Sequence, residues 1–315
     1  MTMPVQASEP ATARPAFVPD LRRTGLAARL SAEALGTLFV MVVGLGVPLF
    51  AVPQYNPMSA SLAAGLALTA AMLAFGYLSG GHFNPAVTVG NAIAGRIGAL
   101  DAAAYLGAQL AGALLGALTL FGVLRTVPKL NGTQTAFDTV AAGFDSRSVI
   151  QAPMAGVLLV EVLGAALLVA VYLGTTAGRN PAKAAAPFAV GLSMAVLLQL
   201  GQSIGNAPFN PARATASAIF SSPDALGQLW LFWVAPLAGA AVAGLVFRGF
   251  AHTPGRALPV SGDPEPEDGF DDDVDAGSAV EPVTAGGAAY AGDTPRSAPA
   301  DEARAFFDKP DKPTT

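Results

Sequence analysis

The sequence has no cysteine among its 315 residues and only two histidines. The missing thiols exclude disulfides, thiolate metal sites and cysteine nucleophiles. One histidine, His252, follows the last apolar run, so no metal cluster can be assembled around a histidine pair. The sequence therefore predicts no bound metal and no cofactor, and it contains nothing that indicates a nucleic-acid partner.

Charge is also scarce. Charged residues make up 12% of the chain, against roughly 25% in soluble domains, while hydrophobic residues reach 52% and the mean hydropathy is +0.50. An apolar stretch of about 20 residues can cross a bilayer core of ~30 Å. Six such stretches run over 30–52, 59–78, 102–124, 153–174, 185–204 and 228–249. This composition predicts an all-α membrane protein whose first partner is the lipid bilayer.

The apolar region contains one pattern twice. A glutamate in an apolar helix, Glu33 or Glu161, is followed about 50 residues later by Phe-Asn-Pro-Ala, at residues 83–86 and 209–212. Between them stands a Gly-Leu pair, at 65–66 and 191–192, and beyond them an Ala-Gly-Ala triplet, at 111–113 and 238–240. Four landmarks in one order, at nearly equal offsets, indicate an internal duplication.

Each copy contains three spans. Because three is odd, the second copy must enter the membrane from the opposite side, which predicts two inverted repeats, about 26–125 and 150–250. Basic residues then fall on one side if the amino terminus is inside: Arg14, Arg22, Arg23, Arg29, Arg96, Arg179, Lys183, Arg248 and Arg256. The opposite loop, 125–150, mixes basic and acidic residues. The positive-inside rule predicts a multi-pass protein of the plasma membrane with both termini in the cytoplasm.

The two Asn-Pro-Ala segments predict helix starts inside the membrane. Asparagine is a preferred N-cap and proline is favoured at the first helical position. The apolar runs that follow, 87–94 and 213–220, are too short to span, so each is expected to form a re-entrant half-helix. Two half-helices entering from opposite faces would meet with their positive N-terminal ends near the midplane. A permeant crossing there should be uncharged or anionic.

A third Asn-Pro-Ala, which begins at Asn180, serves as an internal control. It lies in a short loop between Arg179 and Lys183 and has no glutamate or Gly-Leu landmark at the matching offsets. We interpret it as an ordinary helix N-cap. The symmetric placement of the other two copies, and not the tripeptide itself, carries the signal.

The intramembrane glutamates allow two interpretations. An ionisable group in a span is often a proton or ion carrier, but Glu33 and Glu161 stand at equivalent positions and no Asp, His or Lys completes a relay. We favour a structural role, in which each carboxylate accepts hydrogen bonds from the irregular backbone of a re-entrant loop. Glycines along spans three and six are expected to allow close helix packing. They are Gly107, Gly112, Gly116, Gly239 and Gly244.

These motifs resemble those of the aquaporin, or major intrinsic protein, family across residues 26–250. Ser-Gly-Gly-His-Phe-Asn-Pro-Ala-Val-Thr at 79–88 and Asn-Pro-Ala-Arg at 210–213 match the family's two signatures. The resemblance implies six transmembrane helices plus two half-helices, a homotetramer with a pore in every protomer, and passive conduction of small neutral permeants. It also implies that the paired asparagines donate hydrogen bonds to the permeant and break a proton wire. The motif residues carried over are Asn84, Pro85, Ala86, Asn210, Pro211 and Ala212.

The resemblance further implies a selectivity filter of four positions, and the sequence departs from a water filter there. Counted from the motifs without gaps, the positions are Ala64, Leu198, Ala207 and Arg213. Water-selective members resemble one another in having a large aromatic residue at the first position and histidine at the second. Small and aliphatic residues predict a wider, more apolar aperture. The set is similar to that of family members that pass glycerol, boric acid or arsenous acid.

Two tails and two alternative classes complete the interpretation. Residues 1–25 are predicted to be disordered, as is the acidic segment 251–315, since residues 253–315 carry 14 acidic against 5 basic side chains.

An ion-coupled secondary transporter also has inverted repeats and broken helices, and would use Glu33 and Glu161 to bind protons or sodium. An enzyme is not expected, because no nucleophile with a base and no metal-ligand set has workable spacing.

Overall fold

The computed structural model describes residues 24–51, 58–128 and 132–251. These residues form ten α-helices and no strand. Six helices are long and apolar enough to cross a membrane. They are α1 Leu26–Phe50, α2 Ala60–Ser79, α4 Ala99–Leu124, α6 Met154–Thr175, α7 Ala186–Gly205 and α10 Leu231–Ala251. The predictions of disordered tails lie outside the described residues, apart from residues 24, 25 and 251.

The remaining helices are short. Two have nine residues each, α3 Pro85–Ile93 and α8 Pro211–Ile219, and they start at the two Asn-Pro-Ala motifs. Two have six residues each: α5 Thr133–Asp138 lies in the connection between the repeats, and α9 Pro223–Gln228 lies between α8 and α10 in the second repeat. The predicted all-α fold with six spans and two half-helices is therefore confirmed.

The two repeats pack in the same way. In the first repeat α1 lies against α2 and α4, and in the second α6 lies against α7 and α10. The repeats interlock, because α2 packs on α7 and because each half-helix contacts the last long helix of the other repeat, α3 with α10 and α8 with α4. The half-helices also touch each other. This arrangement brings the two Asn-Pro-Ala motifs to the centre of the bundle.

Glycines permit the close helix crossings. A Cβ at Gly112 of α4 would lie 2.1 Å from the carbonyl oxygen of Ala34, and a Cβ at Gly239 of α10 would lie 2.1 Å from that of Val162. Gly116 and Gly244 also face atoms closer than 3.0 Å to the position of a Cβ. The packing prediction fails at Gly107, where a Cβ would meet no heavy atom of the described protomer within 4 Å. Helix contact through small residues is thus repeated in both halves.

Candidate functional site

The asparagines of the two motifs cap the half-helices. The side-chain oxygen of Asn84 accepts a hydrogen bond from the backbone N–H of Ala86 at 2.8 Å. The side-chain oxygen of Asn210 accepts from the N–H groups of Ala212 at 3.0 Å and Arg213 at 3.3 Å. The proline that follows each asparagine occupies the first turn, where its missing N–H costs nothing. Local capping thus orients both amides.

The amide nitrogens of the same asparagines tie the repeats together. Asn84 Nδ2 donates to the carbonyl oxygen of Phe209 at 2.9 Å, and Asn210 Nδ2 donates to that of Phe83 at 3.2 Å. Both asparagines are buried. Since a carboxamide has two N–H groups, the second N–H of each has no acceptor among the described residues. Two half-helix N-termini therefore meet with one free donor apiece, in a reciprocal arrangement that the sequence did not reveal.

The phenylalanine before each asparagine is held in an unusual backbone conformation. Phe83 and Phe209 both have φ of 49°, in the left-handed region that is uncommon for residues other than glycine. Their rings are fully buried against a glycine one helical turn after the glutamate: a Cβ at Gly36 would lie 2.1 Å from the Phe83 ring, and one at Gly164 would lie 2.2 Å from the Phe209 ring. Ring packing fixes the carbonyls that the asparagines use.

Replacing Gly36 with alanine should therefore disturb the first motif. The added methyl group overlaps the Phe83 ring, and overpacking of this kind costs about 1–3 kcal/mol. We expect a lower thermal midpoint in detergent and reduced water permeability in vesicles. Gly107→Ala is the matched control, because the added methyl group would have no heavy atom of the described residues within 4 Å, the helix's own backbone aside. Unchanged stability of the Gly36→Ala variant would contradict the ring packing.

The two glutamates are both fully buried, but their surroundings differ. Glu33 accepts four hydrogen bonds, two on each oxygen. The donors are Ser79 Oγ at 2.6 Å, His82 N at 3.0 Å, Phe83 N at 2.8 Å and Gln109 Nε2 at 2.7 Å. Glu161 accepts one, from Phe209 N at 3.3 Å, and its Oε2 is buried without a partner. The two carboxylates are alike in sequence position and unlike in bonding.

The sequence holds the signal that explains this difference, although the repeat comparison missed it. Three donors to Glu33 have counterparts in the second repeat that cannot donate from the same place. Gly205 stands at the position of Ser79 and has no hydroxyl group. Pro208 stands at the position of His82 and has no backbone N–H. Pro236 stands at the position of Gln109 and has no side-chain amide. Only the backbone N–H of the phenylalanine is retained in both repeats.

Three of the four predicted filter positions share one cavity. It has a volume of about 370 Å³, and its lining includes Ala64, Leu198 and Arg213. Ala207 does not line this cavity; it is buried, and a Cβ added at Gly201 would lie 2.6 Å from its Cβ. The structure thus brings three of the four positions together, and the fourth is not part of the same lining.

Arg213 is the charged member of this group. It lies at the first turn of α8 and is only 7% exposed. Its guanidinium makes no hydrogen bond to any described residue, and its Nε is buried without a partner. A buried guanidinium with free donors is costly unless something in the cavity accepts from it. The geometry therefore leaves a strong donor available to a molecule in the cavity.

The third motif differs from the other two. Asn180 also accepts a hydrogen bond from the backbone two residues on, Ala182 N at 2.8 Å. The chain then forms a turn and a short 3₁₀ segment, Lys183–Ala185, before α7 starts at Ala186. Asn180 therefore caps a loop turn and not helix α7 itself, so the prediction that it is a helix N-cap was wrong. As predicted, Asn180 lies in the short loop before α7 and does not start a half-helix.

Comparison with known proteins agrees with this geometry. The model of the major intrinsic protein family matches residues 20–247. Aquaporin Z of Bradyrhizobium diazoefficiens is 36% identical over 230 residues, covering 72% of this chain and 94% of that protein. Aquaporin Z of Photorhabdus laumondii is 35% identical, covering 70% and 96%. The X-ray structure of the aquaglyceroporin from Plasmodium falciparum matches with a TM-score of 0.57 at 22% identity, and the match covers 72% of this chain and 95% of that one. At this identity the match shows that the two proteins share a fold, and nothing about function.

The inverted repeats and the paired half-helices define a multi-pass membrane channel. The chain belongs to the major intrinsic protein family. It is a passive channel for water or small solutes, as the family match and the six apolar helices indicate.

Proposed function

We propose that this channel conducts small uncharged solutes, such as glycerol, boric acid or arsenous acid, in addition to water, and catalyses no reaction. The observation that carries the proposal is the composition of the cavity, whose lining includes the apolar side chains of Ala64 and Leu198 and the guanidinium of Arg213, which has no hydrogen-bond partner among the described residues. A polyhydroxylated solute can lay its carbon or metalloid face on the wall and its oxygens toward the guanidinium. Ala64 lacks the bulk of the aromatic residue that water-selective members have at the first filter position. Leu198 lacks the polarity of the histidine that they have at the second.

We further propose that the channel excludes protons and cations at the two asparagines. Asn84 and Asn210 are held by caps and by reciprocal carbonyl bonds, so each presents its remaining N–H in a fixed direction. A water molecule that accepts from both amides cannot also accept from its neighbours, which interrupts a proton wire. The positive N-terminal ends of α3 and α8 oppose cations at the same point.

The assembly is proposed to be a homotetramer in the plasma membrane with both termini in the cytoplasm. The basic residues of one face, such as Arg96 and Lys183, support the orientation. The long helices carry exposed apolar side chains, for example Leu115, Leu159 and Val196. Surfaces that contact lipid or neighbouring protomers need such side chains.

A flux panel in proteoliposomes tests the permeant. Water, glycerol, urea, boric acid and arsenous acid should be measured at one protein density, and we expect water and at least one hydroxylated solute to pass. The net flux of each solute should stop when its concentrations are equal on both sides. Uptake that continues at equal concentrations, driven by a proton or sodium gradient, would instead favour the coupled transporter that uses Glu33 and Glu161.

Narrowing the filter should separate solute from water. We expect the double variant Ala64→Phe with Leu198→His to lose most glycerol and metalloid flux and to retain water flux, because an aromatic ring and an imidazole fill the apolar side of the cavity. Stopped-flow light scattering on the same vesicles measures both. A wild type that passes water alone at an ordinary rate would contradict the assignment of these positions to the filter.

A further inference from the structure

We propose that Asp138 and Arg213 form an entry subsite for neutral polyhydroxylated molecules in the cavity that three of the predicted filter residues also line. The subsite rests on the proposed function, since it would collect the solutes that the filter then passes. Asp138 ends the short helix α5, in the connection between the repeats, and it lines the same cavity as Arg213. In the sequence, Asp138 is only one charge of the mixed loop 125–150.

The carboxylate of Asp138 is held rigidly by one of its oxygens. Its Oδ1 accepts from the hydroxyl of Ser221, from the backbone N–H of Ser222 at 3.1 Å, from the Ser222 hydroxyl at 2.7 Å and from Arg147 Nη2 at 3.1 Å. All recorded donors are on Oδ1. Among the described residues Oδ2 has no partner, and the side chain is 31% exposed. Asp138 therefore keeps one fixed, free acceptor on a side chain that lines the cavity.

The charge of Asp138 persists over the working pH range. Burial acts to raise the pKa of Asp138, but hydrogen bonds from Ser221, Ser222 and Arg147 outweigh it and lower this pKa to about 2. Arg147 is committed to the same cluster, because its two terminal nitrogens bond Ser221, Ser222 and Asp138. The pair is nearly neutral as a whole, so Asp138 acts as a hydrogen-bond acceptor more than as an attractor of cations.

Asp138 and Arg213, which line the same cavity, have complementary chemistry. Asp138 Oδ2 can only accept at neutral pH, while Arg213 can only donate. A hydroxyl group needs both, an acceptor for its proton and a donor for its oxygen, and a polyol or boric acid presents several such groups on one small molecule. Because Asp138 and Arg147 nearly neutralise each other, Arg213 repels a cation, while a carboxylate has no proton to donate to Asp138 Oδ2. The geometry therefore points to neutral molecules with two or more hydroxyl groups.

The experiment measures water flux, so it does not require that any solute be conducted. Vesicles containing the full-length protein are shrunk by equal osmotic gradients of xylitol, a polyol, or of trimethylamine N-oxide, which has no hydroxyl group. We expect xylitol to slow the water flux of the wild type more than trimethylamine N-oxide does, because the N-oxide can accept from Arg213 but has no hydroxyl group to donate to Asp138. Equal rates with both osmolytes would overturn the subsite, whereas failure of the solute panel would overturn only the proposed permeants.

The Asp138→Asn variant tests whether Asp138 is the acceptor that binds xylitol. It replaces the free acceptor with a donor while the remaining oxygen can still accept from the serines, so the xylitol concentration that halves water flux should rise about threefold to tenfold. Asp145→Asn is the matched control, because it makes the same change in the same connection at a residue that does not line the cavity. Ser221→Ala removes one of four donors to Oδ1 and keeps Oδ2. Xylitol sensitivity like that of the wild type in Asp138→Asn, or an equal loss in Ser221→Ala, would overturn the proposal.

Discussion

Replacing Glu33 with alanine is expected to prevent most of the protein from folding. The change leaves four donors without an acceptor in a fully buried position, and each stranded donor costs about 1–3 kcal/mol. Two of them, the N–H groups of His82 and Phe83, belong to the backbone of the re-entrant loop and cannot turn to another partner. The yield of monodisperse protein in detergent measures the effect, and Glu33→Gln should be milder because it keeps one acceptor oxygen.

Glu161→Ala should be much better tolerated. Only one hydrogen bond is lost, that of Phe209 N at 3.3 Å, and the variant also removes a buried oxygen that has no partner. We expect a folded yield well above that of Glu33→Ala when both variants are prepared in parallel. Equal losses from the two variants would show that the carboxylates contribute alike and that the difference in bonding has no energetic consequence.

Replacing Asn210 with aspartate should produce the largest functional change. As a helix cap the aspartate is adequate, but it cannot donate to the carbonyl of Phe83, and it puts a negative charge where two helix N-termini meet. We expect neutral-solute and water flux to fall, or a cation leak to appear, and the same for Asn84→Asp. Osmotic shrinkage and a membrane-potential dye on the same vesicles distinguish the two outcomes.

The third motif provides the control for this experiment. Asn180→Asp makes the same chemical change at an Asn-Pro-Ala tripeptide whose asparagine caps a loop turn. Flux and ion exclusion should remain those of the wild type. Wild-type conductance and unchanged ion exclusion in both Asn84→Asp and Asn210→Asp would contradict the role of the paired amides.

Several features of the fold could be predicted from the sequence because they depend on nearby residues. The length of an apolar run decides whether a helix can cross a bilayer, and all six predicted spans agree with helices of the structure to within a few residues. Asn84 and Asn210 start helices because the cap and the following proline act within one turn. The repeat pattern then indicated that the halves are inverted.

The chemistry of the site was only partly predictable. Glu33 and Glu161 occupy the same place in the repeat, yet the number of donors around each depends on residues from other segments, such as Gln109 in α4. Asp138 gave no signal, since a charged residue in a polar connection is ordinary. Its carboxylate is held by Ser221 and Ser222, which stand more than 80 positions later in the chain.

The sequence by itself determined the class of the protein, its six spans in two copies, and the capping role of Asn84 and Asn210, while the four filter positions stay a prediction. The tertiary structure decided which groups are satisfied and which remain free. Asn84 reaches the carbonyl of Phe209 across 125 positions of sequence, and Arg213 is left with donors that no described side chain accepts. Such contacts depend on how rigid helices are oriented relative to one another, which local capping and hydrophobic length do not specify.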